Sequence, residues 1–268
     1  MDRLREISEN IEREALRSLH DCCPSETRDR LGLYLEECAD VSIAIAERDP
    51  SILLNRALGL GSQVPVTLET LRNVASTYAD HDIQRYFLHV FPDTIPDDSW
   101  LGQAGLEKAR GWMKFERGGD TPPGARTDLR IERIGPEYAH SFGEIVSSAF
   151  GMSDAAIPLL AGLVHDDRWH LYLSFDGDAP AGAGAMFIDG DYAWIEWGAT
   201  VPRFRRRGSQ GAIMEARIRA ALDQGCSHMF TETGEADGDD PQHSYGNILR
   251  FGFEPTITRE NWTVAQDR

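Results

Sequence analysis

Apolar positions along the chain follow two rhythms, one helical and one extended. Leu4, Ile7, Ile11, Ala15 and Leu19 stand three or four residues apart, which predicts an amphipathic opening helix. Residues 31–37 read as a second helix, and the runs 41–46 and 52–58 as strands. The spacing then predicts a helix over 67–79, with Thr67 as its N-cap and Thr70 where a capping-box acid would stand. A strand over 83–90, a helix over 100–109 and a strand over 112–116 follow. Residues 117–125 are rich in Gly and Pro and lack apolar periodicity, which marks a linker. The expected division is a smaller α/β domain over 1–116, a linker over 117–126 and a second domain over 127–268.

In the second domain the run 192–200 reads as a strand and 213–222 as a helix ended by Gly225. Between them lie Arg205, Arg206, Arg207, Gly208, Ser209, Gln210 and Gly211. In a chain of formal net charge −17, so dense a basic cluster is locally anomalous and calls for an anionic partner. Free N–H groups at a helix start, with the positive end of its dipole, form a seat for anions. Gly208 and Gly211 let the backbone approach a pyrophosphate, and the arginines put fixed charge beside it. The bland reading is a solvated basic corner; the glycine turn between strand and helix favours phosphate.

The chain has 268 residues, 41% hydrophobic and 26% charged, as expected of a globular protein with a real core. No apolar run approaches the ~20 residues that span a bilayer, and the start lacks the apolar centre of a secretory signal. Cys22, Cys23, Cys38 and Cys226 are too few and too irregular for a disulfide framework or a zinc site. A cytoplasmic location and no metal are therefore expected. The acidic balance argues against nucleic-acid binding and is compatible with a cationic amine.

The basic turn resembles the acetyl-CoA-binding motif of the GNAT acetyltransferase superfamily, Gln/Arg-x-x-Gly-x-Gly/Ala. Arg205 stands at its first position and Gly208 at its fourth, while Gln210 stands where Gly or Ala is usual, with Gly211 one place on. The resemblance runs in order through 127–268. Residues 129–134 look like the first strand, and 138–150 and 155–165 like the first two helices. Residues 169–175, 181–188 and 192–201 look like a three-strand meander, and 229–233 like the strand after the cofactor helix. Residues 244–253 resemble the last helix with its terminal Gly-Phe, and 262–264 the closing strand. The implied fold is a mixed α/β, mostly antiparallel twisted sheet flanked by helices. The second half of the first domain runs strand, helix, strand, helix, strand, the order assigned from residue 192 onwards, and residues 103–106 echo 250–253. A partial, diverged GNAT-like repeat is expected there, structural or shaping the substrate cleft. Its turn, Gly59 to Thr67, contains no arginine; its Gly-x-Gly also invites a dinucleotide reading, though a tight strand-to-helix connection is favoured.

The resemblance implies acetyl-CoA as cosubstrate, held by Arg205, Arg206, Arg207, Gly208, Ser209, Gln210, Gly211 and Ala212, with main-chain contacts from Thr200 and Val201 and a polar contact from Asn247. Asn247 is equally readable as a helix-surface amide. A protonated alkyl amine has a pKa near ~10.4, so a base must take its proton. Glu196, between Trp194 and Trp197, is the first candidate, and Glu232 the second. The family's tyrosine acid falls at Ile248; Tyr245 is the nearby substitute. The acidic loop 235–240 reads as solvated or as an attractor of cations. The expected reaction is acetyl transfer to an amine of a small molecule or protein by direct attack, and the expected partner is a small-molecule amine, a homodimer being allowed. The alternatives are a catalytically silent CoA-binding or protein-interaction module, and a Rossmann-type oxidoreductase built on the Gly59 turn.

Overall fold

In the computed structural model, residues 3–236 and 243–265 are described. The chain runs α1 (Arg3–Asp21), α2 (Ser25–Leu31), β1 (Leu33–Cys38), β2 (Val41–Ala46), β3 (Arg56–Leu58), α3 (Leu68–Asp80), β4 (Phe87–Val90), α4 (Ser99–Gln103) and β5 (Leu106–Arg117). It continues β6 (Arg130–Arg133), α5 (Ala139–Phe150), α6 (Ile157–Gly162), β7 (Trp169–Asp176), β8 (Ala179–Asp189), β9 (Tyr192–Thr200), α7 (Ser209–Asp223), β10 (His228–Gly234), α8 (His243–Arg250) and β11 (Glu254–Val264). All eleven strands join one sheet in the order β1-β2-β3-β4-β11-β5-β10-β9-β8-β7-β6. It is mixed and mostly antiparallel, with β3–β4 and β9–β10 the parallel pairs.

That order contains a repeat. Strands β1 to β5 and β7 to β11 occupy matching places on either side of a centre between β11 and β5, and each set's last strand crosses into the other half. So β11 pairs with β4, β5 pairs with β10, and the two pair with each other. Gly105 and Gly252, both left-handed at φ of 76° and 79°, end the short helix before each exchanged strand. Only glycine takes that conformation without a steric cost, which explains the echo between 103–106 and 250–253.

Several elements differ from the sequence expectation for local reasons. Residues 33–38 form a strand, because Gly32 at φ 59° closes α2 after Leu31. Of the run 52–58 only Arg56–Leu58 is extended. The preceding turn is held by Asn55, which accepts from the Ala46 amide at 2.8 Å and donates to the Asp49 carbonyl at 2.8 Å. Helix α4 stops at Gln103, and β4 begins only at Phe87. Thr67 caps α3 as expected, its hydroxyl accepting from the Thr70 amide at 3.0 Å.

Both faces of the sheet are covered. Ala44 and Ala46 face the core beneath α1, α5 and α6, while Val41, Ile43 and Ile45 face α3 and α4. In the second half α7 and α8 pack Ile213, Met214, Ile248 and Phe251 against the sheet.

Where the halves exchange strands, charge is buried. Arg259 of β11 reaches Glu9 at 3.0 Å, Glu12 at 2.8 Å and Glu232 at 2.5 Å. Lys114 of β5 donates to Glu12 at 2.6 Å, and Arg56 of β3 lies 3.3 Å from Glu12 and 3.7 Å from Glu232. Burial alone would push the Glu12 carboxyl up, but Arg259, Lys114 and Arg56 together hold it well below its ordinary value. Removing one cation from such a cluster strands the carboxylates it neutralises. Arg259→Met is expected to destabilise the fold by about 3–5 kcal/mol, read as a lower urea midpoint at unchanged slope; an unchanged midpoint would mean the cluster is not needed for the strand exchange.

Candidate active site

The site forms where β9 leaves β10. The two pair only through Tyr192–His228, Ala193–Met229 and Trp194–Phe230. At the fork the Thr231 hydroxyl donates to the Ile195 carbonyl at 2.7 Å, and beyond it the strands part. On the other edge of β9 the register with β8 slips between Ala183–Ala199 and Ala185–Glu196, so Trp197 and Gly198 together oppose Gly184. This is a β-bulge, and it puts Trp197 at φ 57°, an unusual conformation for a bulky residue. Arg217 of α7 holds the bulge from beneath, donating to the Glu196 and Ala185 carbonyls at 2.9 Å each. Gly184 leaves it room, since a Cβ there would meet the Arg217 guanidinium at 3.0 Å and Ile213 at 2.6 Å.

Two cavities meet at this fork. One, of about 490 Å³, lies in the gap and is lined by Trp112, Trp194, Glu196, Trp197 and Glu232, with Arg56 and Arg85. The other is a groove of about 1640 Å³ along the start of α7, lined by Thr200, Arg205 to Gly211, Asn247 and Phe251. Phe150, Gly198, Gln210 and Ser244 line both. Helix α7 opens on Gly208 at φ 83° with no side-chain cap among the described residues, so its first amides are left without one.

No protein-family model and no curated protein matches the sequence. Solved structures do. A GCN5-related N-acetyltransferase from Kribbella flavida superposes with a TM-score of 0.66 at 13% identity, covering 97% of this chain and 96% of that one. Another from Sphaerobacter thermophilus gives 0.60 at 13% identity over 77% and 70% of the two chains. A tandem GNAT protein from the clavulanic acid biosynthesis pathway gives 0.52 at 13% identity over 75% and 70%. The chain has the GNAT fold, in a repeat-like arrangement.

Within the GNAT fold the sequence-expected residues sort into two groups. Thr200, Arg205, Arg206, Arg207, Gly208, Ser209, Gln210, Gly211 and Asn247 come together on the groove. Arg205 and Arg206 are exposed and make no ion pair among the described residues. Arg207 is engaged otherwise, pairing with Asp176 at 2.9 Å and with Asp128. The Ser209 hydroxyl turns inward to Ser174 at 2.7 Å, leaving only its backbone towards the groove. Asn247 is 9% exposed and its Nδ2 has no partner among the described residues. Three expected residues lie elsewhere. The Val201 amide donates to the Ala181 carbonyl at 2.9 Å, and the Ala212 amide to the Gly208 carbonyl at 3.0 Å. Tyr245 packs edge-on against Phe115, 4.9 Å between ring centres, and lines neither cavity. Part of the acidic loop, 237–240, lies outside the described residues.

Glu196 and Glu232 both reach the smaller cavity, in unlike settings. Glu232 is tied to Arg259, whereas among the described residues Glu196 forms its ion pair with Arg56, at 3.9 Å. Burial pushes Glu196 up to about 7 against the pull of Arg56, and the indole N–H groups of Trp194 and Trp197, unpartnered elsewhere, lie beside it. Burial likewise pushes Glu232 up to about 7, against Arg259.

The sequence did not announce the first-half lining, Arg56, Arg85 and Trp112, because these are brought in by the strand exchange. The matching turn of the first half is filled from within. Asp40 accepts from the Gln63 and Val64 amides at 2.7 and 3.0 Å, and Glu9 from the Gly59 amide at 2.8 Å. That turn is a tight connection whose anion seat is taken by the chain's own carboxylates.

A carboxyl raised in the folded state contributes stability below the unfolded value near 4.5 and loses it as pH rises through about 7. Between pH 5 and 8 the wild-type urea midpoint is therefore expected to fall more steeply than that of Glu196→Gln. Parallel curves for the two would show that Glu196 ionises freely.

Proposed function

We propose that the protein is an acetyl-CoA-dependent N-acyltransferase acting on an amine. One observation carries this: a groove with unpaired cations and an uncapped helix start opens, at the Gly198 bulge, onto a cavity holding a buried carboxylate with few ties. Coenzyme A fits the residues present. The first amides of α7 with Arg205 and Arg206 would hold its phosphates, the unpartnered Asn247 amide would donate to it, and the free edge of β9 at Thr200 would run beside its arm. When bound, acetyl-CoA supplies the activated acyl group. Glu196 takes the proton of the incoming ammonium, leaving the neutral amine free to attack; its raised affinity for protons suits that task near neutral pH. Arg217 keeps the bulge, and with it Glu196, in position.

Glu196→Gln is expected to lower acetyl-CoA-dependent kcat/KM by about 10²–10⁴-fold with unchanged affinity for CoA, and to abolish a rise in kcat/KM on raising pH towards 7. Thiol release from acetyl-CoA over a panel of amines measures it; CoA binding without release on any amine would mark a silent binder. In calorimetry, Arg205→Ala with Arg206→Ala is expected to weaken CoA more than pantetheine, at one CoA per chain. Equal losses for both ligands would remove the arginines from the phosphate site.

A further inference from the structure

Of the three arginines that line the smaller cavity, one has neither a carboxylate nor a carbonyl partner among the described residues. Arg56 is matched by Glu12, Glu196 and Glu232, and Arg217 by two carbonyls. Arg85, just ahead of β4, lines the same cavity, is exposed, and has no carboxylate partner among the described residues. In a chain of net charge −17, a lone cation at the rim of an aromatic cavity with carboxylates at its floor is set against the protein's general field. Trp112, Trp197, Phe150, Leu53 and Met214 give the cavity an apolar lining beside its polar residues. The volume of 490 Å³ lies within the roughly 300–1,000 Å³ of small-molecule sites.

From this arrangement we infer that the acceptor is a small amine that also carries an anionic group on an apolar body, its amine directed to Glu196 and its anion held by Arg85. This rests on the acyltransferase reading above and adds its substrate class. An arginine at a carboxylate makes paired, charge-assisted hydrogen bonds that a neutral side chain cannot supply. It also gives the first half of the chain a task, since Arg85, Leu53 and Trp112 all come from it.

The cavity's tryptophans provide the readout. Intrinsic fluorescence of the full chain is titrated with L-phenylalanine and L-leucine and with phenethylamine and isoamylamine, which lack only the carboxylate. The amino acids are expected to bind about 10- to 100-fold more tightly than their matched amines. Arg85→Gln should remove that preference and leave the amines unaffected, and Arg85→Lys should restore part of it. Because Arg85 is exposed, these changes spare the core, which a thermal melt checks. Equal binding of acids and amines, equal loss of both in Arg85→Gln, or no binding of either amino acid overturns the inference. A parallel CoA titration separates the two readings: intact CoA binding with any of those results sinks only the acceptor class, whereas absent CoA binding sinks the acyltransferase proposal itself.

Discussion

Burying charge is costly unless each charge finds a partner, and this fold gathers seven at its seam, five of them buried and two half-buried. Glu9 and Glu12 come from α1, Arg56 from β3, Lys114 from β5, Glu196 and Glu232 from β9 and β10, and Arg259 from β11. The elements on either side of the exchange are therefore not interchangeable in position. If β11 slipped by one residue, Arg259 would point to the opposite face and three carboxylates would each lose one of their cations. Such a cluster does not add much stability over an apolar core; its effect is to admit one pairing of strands and to reject others. The same cluster sets the chemistry of the cavity. Burial at the edge of this cluster pushes both Glu196 and Glu232 up, against the pull of Arg56 on the first and of Arg259 on the second. The packing that sets the strand exchange thus also raises the proton affinity of the cavity's carboxylates.

Much of the second half was legible from residues alone, because its signals are local. The strand 192–200, the glycine turn and the helix behind it obey short-range rules, and Glu196 between two tryptophans already suggested desolvation. From residue 41 onwards the order of elements in the first half was also readable, although β1 was expected as helix, and the echo around Gly105 and Gly252 pointed to duplication. What could not be read is anything that depends on which strand lies beside which. A sequence gives no measure that β5 and β11 change places, so the convergence of Arg56, Arg85 and Trp112 on Glu196 had no local sign. Side-chain direction was the other blind point. Arg207 sits in a basic triplet, yet two aspartates distant in sequence claim it. Tyr245 lies one helical turn from the expected position, yet its ring joins the core at Phe115.

The two halves also explain one another by contrast. Each has a parallel strand pair, a turn and a helix, and in each the turn presents backbone amides to a possible anion. In the first, Asp40 occupies the amides of Gln63 and Val64 and the helix is capped by Thr67. In the second, the helix has no side-chain cap among the described residues, Gly208 stands at the cap, and a Cβ there would strike the Arg126 carbonyl. A carboxylate tethered by the chain competes with an external phosphate for these amides at a high effective concentration. The open turn retains its unmet donors. On the proposed reading this asymmetry divides the labour: the half with the empty seat holds the cofactor, and the half with the filled one is free to become the wall against which the acceptor is recognised.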